Sequence, residues 1–283
     1  MTEQALDIKN IANIDAHLDY QAIVIGAGVS GIYQIKRLAD LGVRATVIDA
    51  NADLGGTWYN NRYPGARFDS ESYTYSYSFS KEVLDEWHWT ERFAPQPETL
   101  AYLNFVTDKF ELRKYMQFGY RVESMVFDDV ENTWTLQLDD GRQLTTRFII
   151  SGVGVLSTPT LPKIEGMDSF ENTSFHASHW PHEPIDLTGK RVAVIGSGAT
   201  AIQLIPEVAK VAARLTVFQR RANWAAPLNN APISESEMAT IRERYIEIFA
   251  ACARSPGGFE HEPDRRGFYD VSPAQRRVLW DKL

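Results

Sequence analysis

The sequence predicts an α/β protein with two Rossmann-like dinucleotide-binding domains: a first one that ends in a β-meander, and a second, incomplete one that is followed by C-terminal helices. A buried strand, a glycine-rich turn and a helix occur in that order at AIVIGAGVSG, residues 22–31, and again at VAVIGSGATA, residues 192–201. Another predicted strand follows each helix, so both segments are βαβ units. The chain has 283 residues, which favours two domains over one.

The first domain is predicted to comprise residues 20–157, after an N-terminal extension at 1–19. A buried strand at 21–25 leads into the first glycine turn, and a helix follows to about Leu41. RATVIDA at 44–50 then forms the next strand. These elements are the βαβ opening of the domain.

The rest of the first domain changes from a loop to a helix and then to a β-meander. Residues 55–79 are loop-like, although Tyr73, Tyr75, Tyr77 and Phe79 alternate as in a half-buried strand. The later predicted elements are a helix from about Pro97 to Lys114 and three strands near 119–127, 132–138 and 144–151, with a hairpin turn at Asp139-Asp140-Gly141.

A linker at residues 158–189 separates the two predicted domains, because TPTLPKIEG at its start combines proline and glycine. Strand, glycine turn, helix and strand then follow within 190–230. The helix is predicted from Ala199 to about Ala213, with a kink at Pro206. Two strands are too few to complete a doubly wound sheet.

The last segment, residues 231–283, is predicted to be helical. Ser234 begins a capping-box pattern, and apolar residues recur on one face of a helix over 234–254. A final helix begins at Ser272. The chain stops at Leu283 without a helix-ending signal, so we expect a polypeptide that continues beyond this residue.

Composition limits the possible partners and the location of the protein. The formal net charge of −8 makes nucleic acid an unexpected partner. The single cysteine, Cys252, excludes an intramolecular disulfide and is interpreted as helix packing. No secretory signal is apparent in the first twenty residues, and no apolar run is long enough to cross a bilayer. We therefore expect a cytoplasmic protein without a membrane partner; its oligomeric state is not predicted.

The first glycine turn matches the GxGxxG pattern through Gly26, Gly28 and Gly31, with Ser30 at the start of the helix. In such turns the N-terminus of the helix faces the pyrophosphate of a dinucleotide. Asp49, at the end of the next strand, can accept a hydrogen bond from a ribose 2′-hydroxyl, and its charge would repel a 2′-phosphate. The first site is therefore predicted to take FAD or NAD and to reject NADP.

The second turn is a GxGxxA variant, and the next strand ends in Gln219-Arg220-Arg221 with no acid at the ribose position. Arginine suits a 2′-phosphate because it forms bidentate charged hydrogen bonds. The alternative is a solvated surface pair, which explains Arg221 equally well. Together the two turns predict FAD at the first site and NADPH at the second. The predicted contacts in the second turn are Gly196, Gly198, Ala199, Thr200 and Ala201.

Two further segments resemble the signature sequences of a known family. GGTWYNNRYPGARFD at 55–69 and FENTSFHASHWP at 170–181 look like those of the Baeyer-Villiger monooxygenases, flavoproteins that insert an oxygen atom beside a ketone carbonyl. The phenylacetone and cyclohexanone monooxygenase group is the most similar, from about Tyr20 to the end of the chain. Asn172 replaces a glycine of the signature, and asparagine tolerates a left-handed backbone.

The resemblance also implies roles for individual residues. Arg67 and Asp69 are implied to be catalytic residues near the nicotinamide, where Asp69 can hold a cation beside the flavin. In the family that cation is an arginine from the second half of a longer chain, and we find no equivalent here. The residues implied to line the flavin are Thr57, Trp58, Asp69, Tyr75 and Val122.

The function implied by the resemblance is an FAD- and NADPH-dependent conversion of a ketone and O2 to an ester or lactone. One alternative is oxidation of nitrogen or sulfur, and another is a non-catalytic dinucleotide-binding fragment. We expect little turnover from these 283 residues alone, and a tendency to aggregate. His176, His179 and His182 lack carboxylate or cysteine partners at metal-site spacing, so no metal is predicted and His176 is interpreted as structural.

Overall fold

The computed structural model describes residues 15–260 and 266–280. Most of the predicted N-terminal extension lies outside the described residues. The strands, numbered in chain order, are β1 (Tyr20–Ile25), β2 (Ala45–Asp49), β3 (Met116–Phe118), β4 (Val122–Asp128), β5 (Thr133–Leu138), β6 (Gln143–Ser151), β7 (Arg191–Ile195) and β8 (Arg214–Phe218).

Within the described residues, seven α-helices connect or follow these strands. In chain order they are α1 (Val29–Asp40), α2 (Thr57–Asn60), α3 (Lys81–Glu86), α4 (Gln96–Lys109), α5 (Ala199–Ala209), α6 (Glu235–Arg254) and α7 (Pro273–Trp280). Short 3-10 turns occupy Ser72–Tyr75, Leu112–Tyr115, Met167–Ser169, Ala177–His179 and Phe268–Asp270. The predicted α/β class is confirmed.

The described residues pack into two compact units. The first runs to Arg62 and again from Thr99 to His182, and the second comprises Tyr63–Glu98 and the residues from Glu183 onward. This division follows packing and does not test which residues bind which nucleotide. The predicted domain ranges 20–157, 158–189, 190–230 and 231–283 therefore stay predictions.

The first unit contains a six-stranded sheet in the order β3-β2-β1-β6-β5-β4. The strands β3, β2, β1 and β6 are parallel to one another, as a βαβ opening requires. Antiparallel pairing joins β6 to β5 and β5 to β4, which confirms the predicted β-meander. The meander thus extends the parallel sheet through β6.

One buried cluster stabilises both parts of this sheet. Ile23 on β1, Ile48 on β2, and Leu136 and Leu138 on β5 pack together and are at most 1% exposed. Full burial of one such side chain contributes roughly 1.5–3 kcal/mol. The cluster therefore holds the parallel strands and the meander together as one body.

The second unit contains a smaller parallel sheet, in which β7 pairs with β8 from Arg191 opposite Arg214 to Ile195 opposite Phe218. No third strand joins this pair among the residues that the structure describes. Large apolar side chains are correspondingly uncovered, and Ile195 and Phe218 are 63% and 56% exposed. These side chains are the physical basis for the expected aggregation.

Helix α6 of the second unit forms as the sequence predicts. The Ser234 hydroxyl accepts a hydrogen bond of 3.2 Å from the Glu237 N–H and caps the helix. Met238, Ile241, Tyr245, Ile248 and Cys252 form its buried face, which confirms that Cys252 is a packing residue.

Tyr73 and Tyr75 belong to a 3-10 turn, within the segment that was predicted to be loop-like. Their alternation does not mark a strand, because Thr74 and Ser76 donate to carbonyls three residues back. Two predicted helices were wrong in extent. The helix predicted to reach Lys114 ends at Lys109, since Glu111 has a left-handed φ of +51°.

The helix of the second unit ends at Ala209 and not near Ala213. Lys210 and Val211 donate to carbonyls three residues back, so the last turn tightens beyond Pro206. Strand β3 was not predicted at all. No helix within 15–260 and 266–280 is long and apolar enough to cross a membrane.

Candidate functional site

The first glycine turn lies between β1 and α1 and is closed by backbone contacts. Gly26 has a φ of +103°, and a Cβ on it would lie 2.5 Å from the Gly152 carbonyl oxygen. A Cβ on Gly31 would lie 1.8 Å from the Gly26 carbonyl oxygen. Packing within the protein therefore requires glycine at both positions.

Gly28 in the same turn has no such requirement. Its φ of −80° and ψ of −167° are open to any residue. The atom nearest to a Cβ on it would be the Gly56 Cα at 3.5 Å, which is an ordinary contact. A glycine at this position would instead allow a pyrophosphate to approach the backbone closely.

Asp49 is the last residue of β2 and is 7% exposed. Its Oδ2 accepts a hydrogen bond of 2.6 Å from the Ala27 N–H, inside the glycine turn. Its Oδ1 accepts hydrogen bonds from the backbone and the side chain of Asn51, at 2.8 and 2.9 Å. A carboxylate offers about four acceptor positions, so one is left for a ribose hydroxyl. Asp49 also braces the turn, a role that the sequence did not indicate.

The residues predicted around this turn share the first unit. Gly56 has a φ of +53° and packs against Gly28, and Thr57 and Trp58 follow it directly in α2. Trp58 is 9% exposed. Ser30 is an exposed residue in the first turn of α1. Val122 begins β4 and packs against the buried cluster.

The second glycine turn repeats the backbone path of the first. Gly196 has a φ of +108°, and its N–H donates to the Phe218 carbonyl at 2.8 Å, as the Gly26 N–H does to the Ile48 carbonyl. Gly198 has an ordinary φ of −73°, and a Cβ on either glycine of this turn would meet no atom within 4 Å.

The first three residues of α5 become more buried along the chain: Ala199 is exposed, Thr200 is half-buried and Ala201 is buried. Ala199 and Thr200 form the first turn of the helix, directly after Gly198. Ala201 is 8% exposed, consistent with the close packing that GxGxxA turns require at this position.

The hydrogen bonds from Gly26 to Ile48 and from Gly196 to Phe218 are equivalent, and they identify the residue of the second turn that corresponds to Asp49. Ile48 precedes Asp49 and Phe218 precedes Gln219, so the second site has a neutral amide at the position of the acid. Gln219 Nε2 donates to Ser197 Oγ at 2.8 Å, across the turn. The next two residues, Arg220 and Arg221, are exposed, and neither forms a salt bridge with any described residue.

A loop at 63–69, which we call the 63–69 loop, packs on α5 within the second unit. Gln203 of α5 accepts hydrogen bonds from the Tyr63 hydroxyl at 2.8 Å and from the Arg67 N–H at 3.4 Å. Its Nε2 donates to the Arg67 carbonyl at 3.0 Å. The sequence did not single out Gln203, although a glutamine between Ile202 and Leu204 is the one amide of an apolar helix.

Arg67 is held by an ion pair. Its Nη1 lies 2.8 Å from Glu91 Oε2 and donates to the Phe93 carbonyl at 3.2 Å. Asn230 also donates to Glu91 Oε2. The guanidinium therefore ties the 63–69 loop to the segment around Glu91.

Asp69, in contrast, is exposed and forms no salt bridge with any residue in the described part of the chain. Burial raises the pKa of Tyr63, the Thr200 hydrogen bond lowers it, and the Asp69 charge raises it further. Tyr75 is half-buried, with its ring centroid 4.2 Å from that of Phe68.

The predicted site residues thus fall into two groups, and the structure divides the segment at 55–69 between them after Arg62. The first unit contains Gly26, Gly28, Ser30, Gly31, Asp49, Thr57, Trp58 and Val122. The second contains Arg67, Asp69, Tyr75, Gly196, Gly198, Ala199, Thr200, Ala201, Arg220 and Arg221.

His176 has the contacts of a structural residue. Its Nδ1 accepts a hydrogen bond of 3.2 Å from the Ser178 N–H and lies 2.8 Å from the Ser178 hydroxyl oxygen, so it caps the turn Ala177–His179. Across residues 15–260 and 266–280, no group of three or more histidine, cysteine or acidic side chains could hold a metal ion.

Comparison with known proteins places these two glycine turns in one family. A family model described as flavin-binding monooxygenase-like matches residues 20–231, which include both turns and both signature segments. The chain belongs to this family. The predicted resemblance to Baeyer-Villiger monooxygenases is confirmed, because cyclohexanone 1,2-monooxygenase of Acinetobacter sp is 37% identical over 266 residues, 94% of this chain and 49% of that protein.

Two other relatives have higher sequence identity to this chain. The 2-oxo-Delta(3)-4,5,5-trimethylcyclopentenylacetyl-CoA monooxygenase of Pseudomonas putida is 43% identical over 268 residues, 93% of this chain and 49% of that protein. Phenazine N-monooxygenase PhzNO1 of Lysobacter antibioticus is 41% identical over 272 residues, 96% of this chain and 50% of that protein.

The structure of OTEMO in complex with FAD and NADP matches with a TM-score of 0.89 and 43% identity, over 94% of this chain and 51% of that one. The chain spans about half the length of the curated relatives it matches.

Proposed function

We propose that this chain binds FAD at the first glycine turn and NADPH at the second, and that it acts in a Baeyer-Villiger oxidation. The observation on which the proposal rests is shared by Gly28 and Gly198. Both have ordinary backbone angles, and neither is confined by neighbouring atoms. A glycine that neither strain nor packing requires is explained by a ligand that approaches the backbone.

The residues at each ribose position support the assignment of the two cofactors. Asp49 is an anion with one acceptor position left, which suits a ribose hydroxyl and disfavours a 2′-phosphate. Gln219 is neutral at the corresponding position, and the exposed Arg220 follows it. A 2′-phosphate can pair with Arg220 without breaking an existing ion pair.

The proposed reaction consumes a ketone, O2 and NADPH with a proton, and yields an ester or lactone, NADP+ and water. FAD, when bound, supplies the oxygen-transfer chemistry. The chain itself supplies orientation through its two helix N-termini and fixed charge through Asp69. Asp69 is suited to hold a cation near the nicotinamide because no described residue already neutralises it. Arg67 is proposed to fix the position of the same loop.

The proposed setting is the cytoplasm, with a small ketone and O2 as substrates and neither nucleic acid nor a membrane as partner. The single buried cysteine suits a reducing compartment. The negative net charge disfavours nucleic acid.

The cofactor assignment can be tested by titration of the purified chain. FAD should bind and give a yellow protein, and NADP+ should bind more tightly than NAD+. Arg220→Ala should reduce the preference for NADP+ by roughly tenfold or more, because a charge-assisted hydrogen bond contributes about 1.5–3 kcal/mol. Arg191→Ala, which removes an exposed arginine at the opposite end of β7, is the control. An unchanged preference for NADP+ over NAD+ in Arg220→Ala would refute NADPH binding at the second glycine turn.

Oxidation of nitrogen is a second candidate, because a relative that is 41% identical is named a phenazine N-monooxygenase. The two candidates differ in the product and not in the cofactors. A cyclic ketone and an aromatic N-heterocycle offered side by side to the complete enzyme should give a lactone if the first proposal is right. Formation of the N-oxide alone would favour the second candidate. Binding of both cofactors without either product would favour a non-catalytic dinucleotide-binding protein.

A further inference from the structure

Gln203 is the polar centre of the contact between the 63–69 loop and α5. Its side-chain oxygen accepts from Tyr63 and Arg67, and its nitrogen donates to the Arg67 carbonyl. Because the Arg67 N–H and carbonyl face opposite ends of the amide, they fix which end is oxygen. The Gln203 side chain thus satisfies both backbone groups of Arg67, the N–H and the carbonyl, as a neighbouring strand does in a sheet.

The loop also contacts α5 closely at two other points. Gly65 has a φ of +83°, and a Cβ on it would lie 2.5 Å from the Gln203 carbonyl oxygen. Tyr63 is 9% exposed and hydrogen-bonds with Thr200, in the first turn of α5. The loop therefore rests on the same helix turn that follows Gly198.

The far end of the loop is held by the Arg67–Glu91 pair, and Asp69 follows two residues later in an exposed position. The loop has no helix or ladder of its own between Tyr63 and the bridge at Arg67. Its conformation therefore depends on the contacts with Gln203 and Glu91 and on the close approach of Gly65 to α5. Two backbone hydrogen bonds, from the Phe68 N–H to the Ala94 carbonyl and from the Gln96 N–H to the Ala66 carbonyl, also hold it.

We propose that Gln203 is a positioning residue for the nicotinamide half of NADPH: it fixes the 63–69 loop on α5, and the loop in turn presents Arg67 and Asp69 to that half. This inference rests on the proposed NADPH site. Arg220 is proposed to bind the other half of the nucleotide, at the 2′-phosphate. Binding of the nicotinamide half thus depends on Gln203, and binding of the adenosine half depends on Arg220.

The assignment predicts a split between two ligands. Adenosine 2′,5′-bisphosphate has the 2′-phosphate and lacks the nicotinamide, whereas NADP+ has both. Loss of the Gln203 contacts should weaken NADP+ binding by about tenfold, because binding must then order the loop, and leave the bisphosphate unchanged. Loss of Arg220 should weaken both ligands by the same factor.

The experiment is isothermal titration calorimetry of the 283-residue chain with each ligand. Gln203→Met keeps the volume of the side chain and removes all three hydrogen bonds, and Tyr63→Phe removes one of them and should give a smaller shift of the same kind. Gln143→Met is the matched control, because Gln143 is exposed on β6 and hydrogen-bonds only at the surface. Thermal unfolding of each variant checks that it is folded, and Tyr63→Phe provides the test if Gln203→Met does not fold.

Selective loss of NADP+ affinity in Gln203→Met and, more weakly, in Tyr63→Phe supports the inference. An equal loss of both ligands, or no loss of either, overturns it while the NADPH site stands. If the unaltered chain binds neither ligand, the proposed NADPH site fails and the inference fails with it.

Discussion

Gly28 and Gly31 lie in one turn, yet the structure predicts opposite consequences when each is replaced by alanine. A Cβ at Gly31 would lie 1.8 Å from the Gly26 carbonyl oxygen, so β1 and α1 must separate. Overpacking of this kind costs about 1–3 kcal/mol, and the shortness of this contact favours the upper end. At roughly 2–4 °C per kcal/mol for a chain of this size, Gly31→Ala should lower Tm by about 6–12 °C.

Gly28→Ala should leave the cofactor-free fold almost unchanged. The nearest atom to the new Cβ is 3.5 Å away, and the lost helix-capping preference is offset by the lower entropy of the unfolded chain, about 0.4–1 kcal/mol. The methyl group would instead occupy the space that we propose for the pyrophosphate of FAD. The same overpacking cost of about 1–3 kcal/mol then falls on FAD, whose affinity should drop by roughly 10- to 100-fold.

Differential scanning fluorimetry of the FAD-free proteins and fluorescence titration with FAD measure the two quantities separately. Gly42→Ala is a suitable reference, because no atom lies within 4 Å of a Cβ there and any loss reports only its positive φ of +67°. If Gly28→Ala unfolds as early as Gly31→Ala, or binds FAD as tightly as the unaltered chain, the ligand-based explanation of Gly28 is wrong.

Three other predictions follow from single contacts. Gly198→Ser should keep or slightly raise Tm, because serine is a good N-cap and the position is uncrowded. The same change should weaken NADP+ binding about tenfold or more in calorimetry, and an unchanged affinity would show that the nucleotide binds elsewhere. Burial raises the pKa of Tyr63 above its unfolded value near 10, so its contribution to stability should be complete below about pH 10 and be lost at higher pH. In urea unfolding, Tyr63→Phe should lose less stability at alkaline pH than the unaltered chain does. An identical pH dependence would show that Tyr63 is not the residue responsible for this loss. Burial and the Glu260 charge raise the pKa of the Cys252 thiol, so Ellman's reagent should react slowly with the folded chain near pH 8 and fast in denaturant. Equal rates would show that the packed face of α6 opens in the folded chain.

Much of the fold could be predicted from the sequence because local signals agreed with the tertiary contacts. The buried strands β1 and β2, the hairpin at Gly141 and the cap at Ser234 each have a pattern that is complete within about ten residues. Strand β3 has no such pattern: it is three residues long and exists because β2 offers it a parallel partner. The tyrosine alternation at 73–79 forms no strand for the converse reason, since none of the described strands pairs with this segment.

The candidate site was predictable at its glycines and charges and not at its supporting contacts. The patterns around Gly26 and Gly196 specify a turn whatever the rest of the chain does. Gln203 is 136 residues from Arg67, and nothing near either residue indicates that they meet. The bracing of Ala27 by Asp49 was missed for a similar reason, because the sequence assigned that carboxylate to a ligand alone.

The two glycine turns differ in the space around their first glycine: Gly26 has the Gly152 carbonyl behind it, whereas Gly196 has open surroundings. Random substitution of the proposed coenzyme contacts should therefore be tolerated very differently in the two turns. Changes around Gly196 and Arg220 could be screened for acceptance of the cheaper NADH with little loss of folded protein, if the proposed NADPH site is right. The same diversity around Gly26 should yield mostly insoluble chains, because most side chains there would clash with the Gly152 carbonyl.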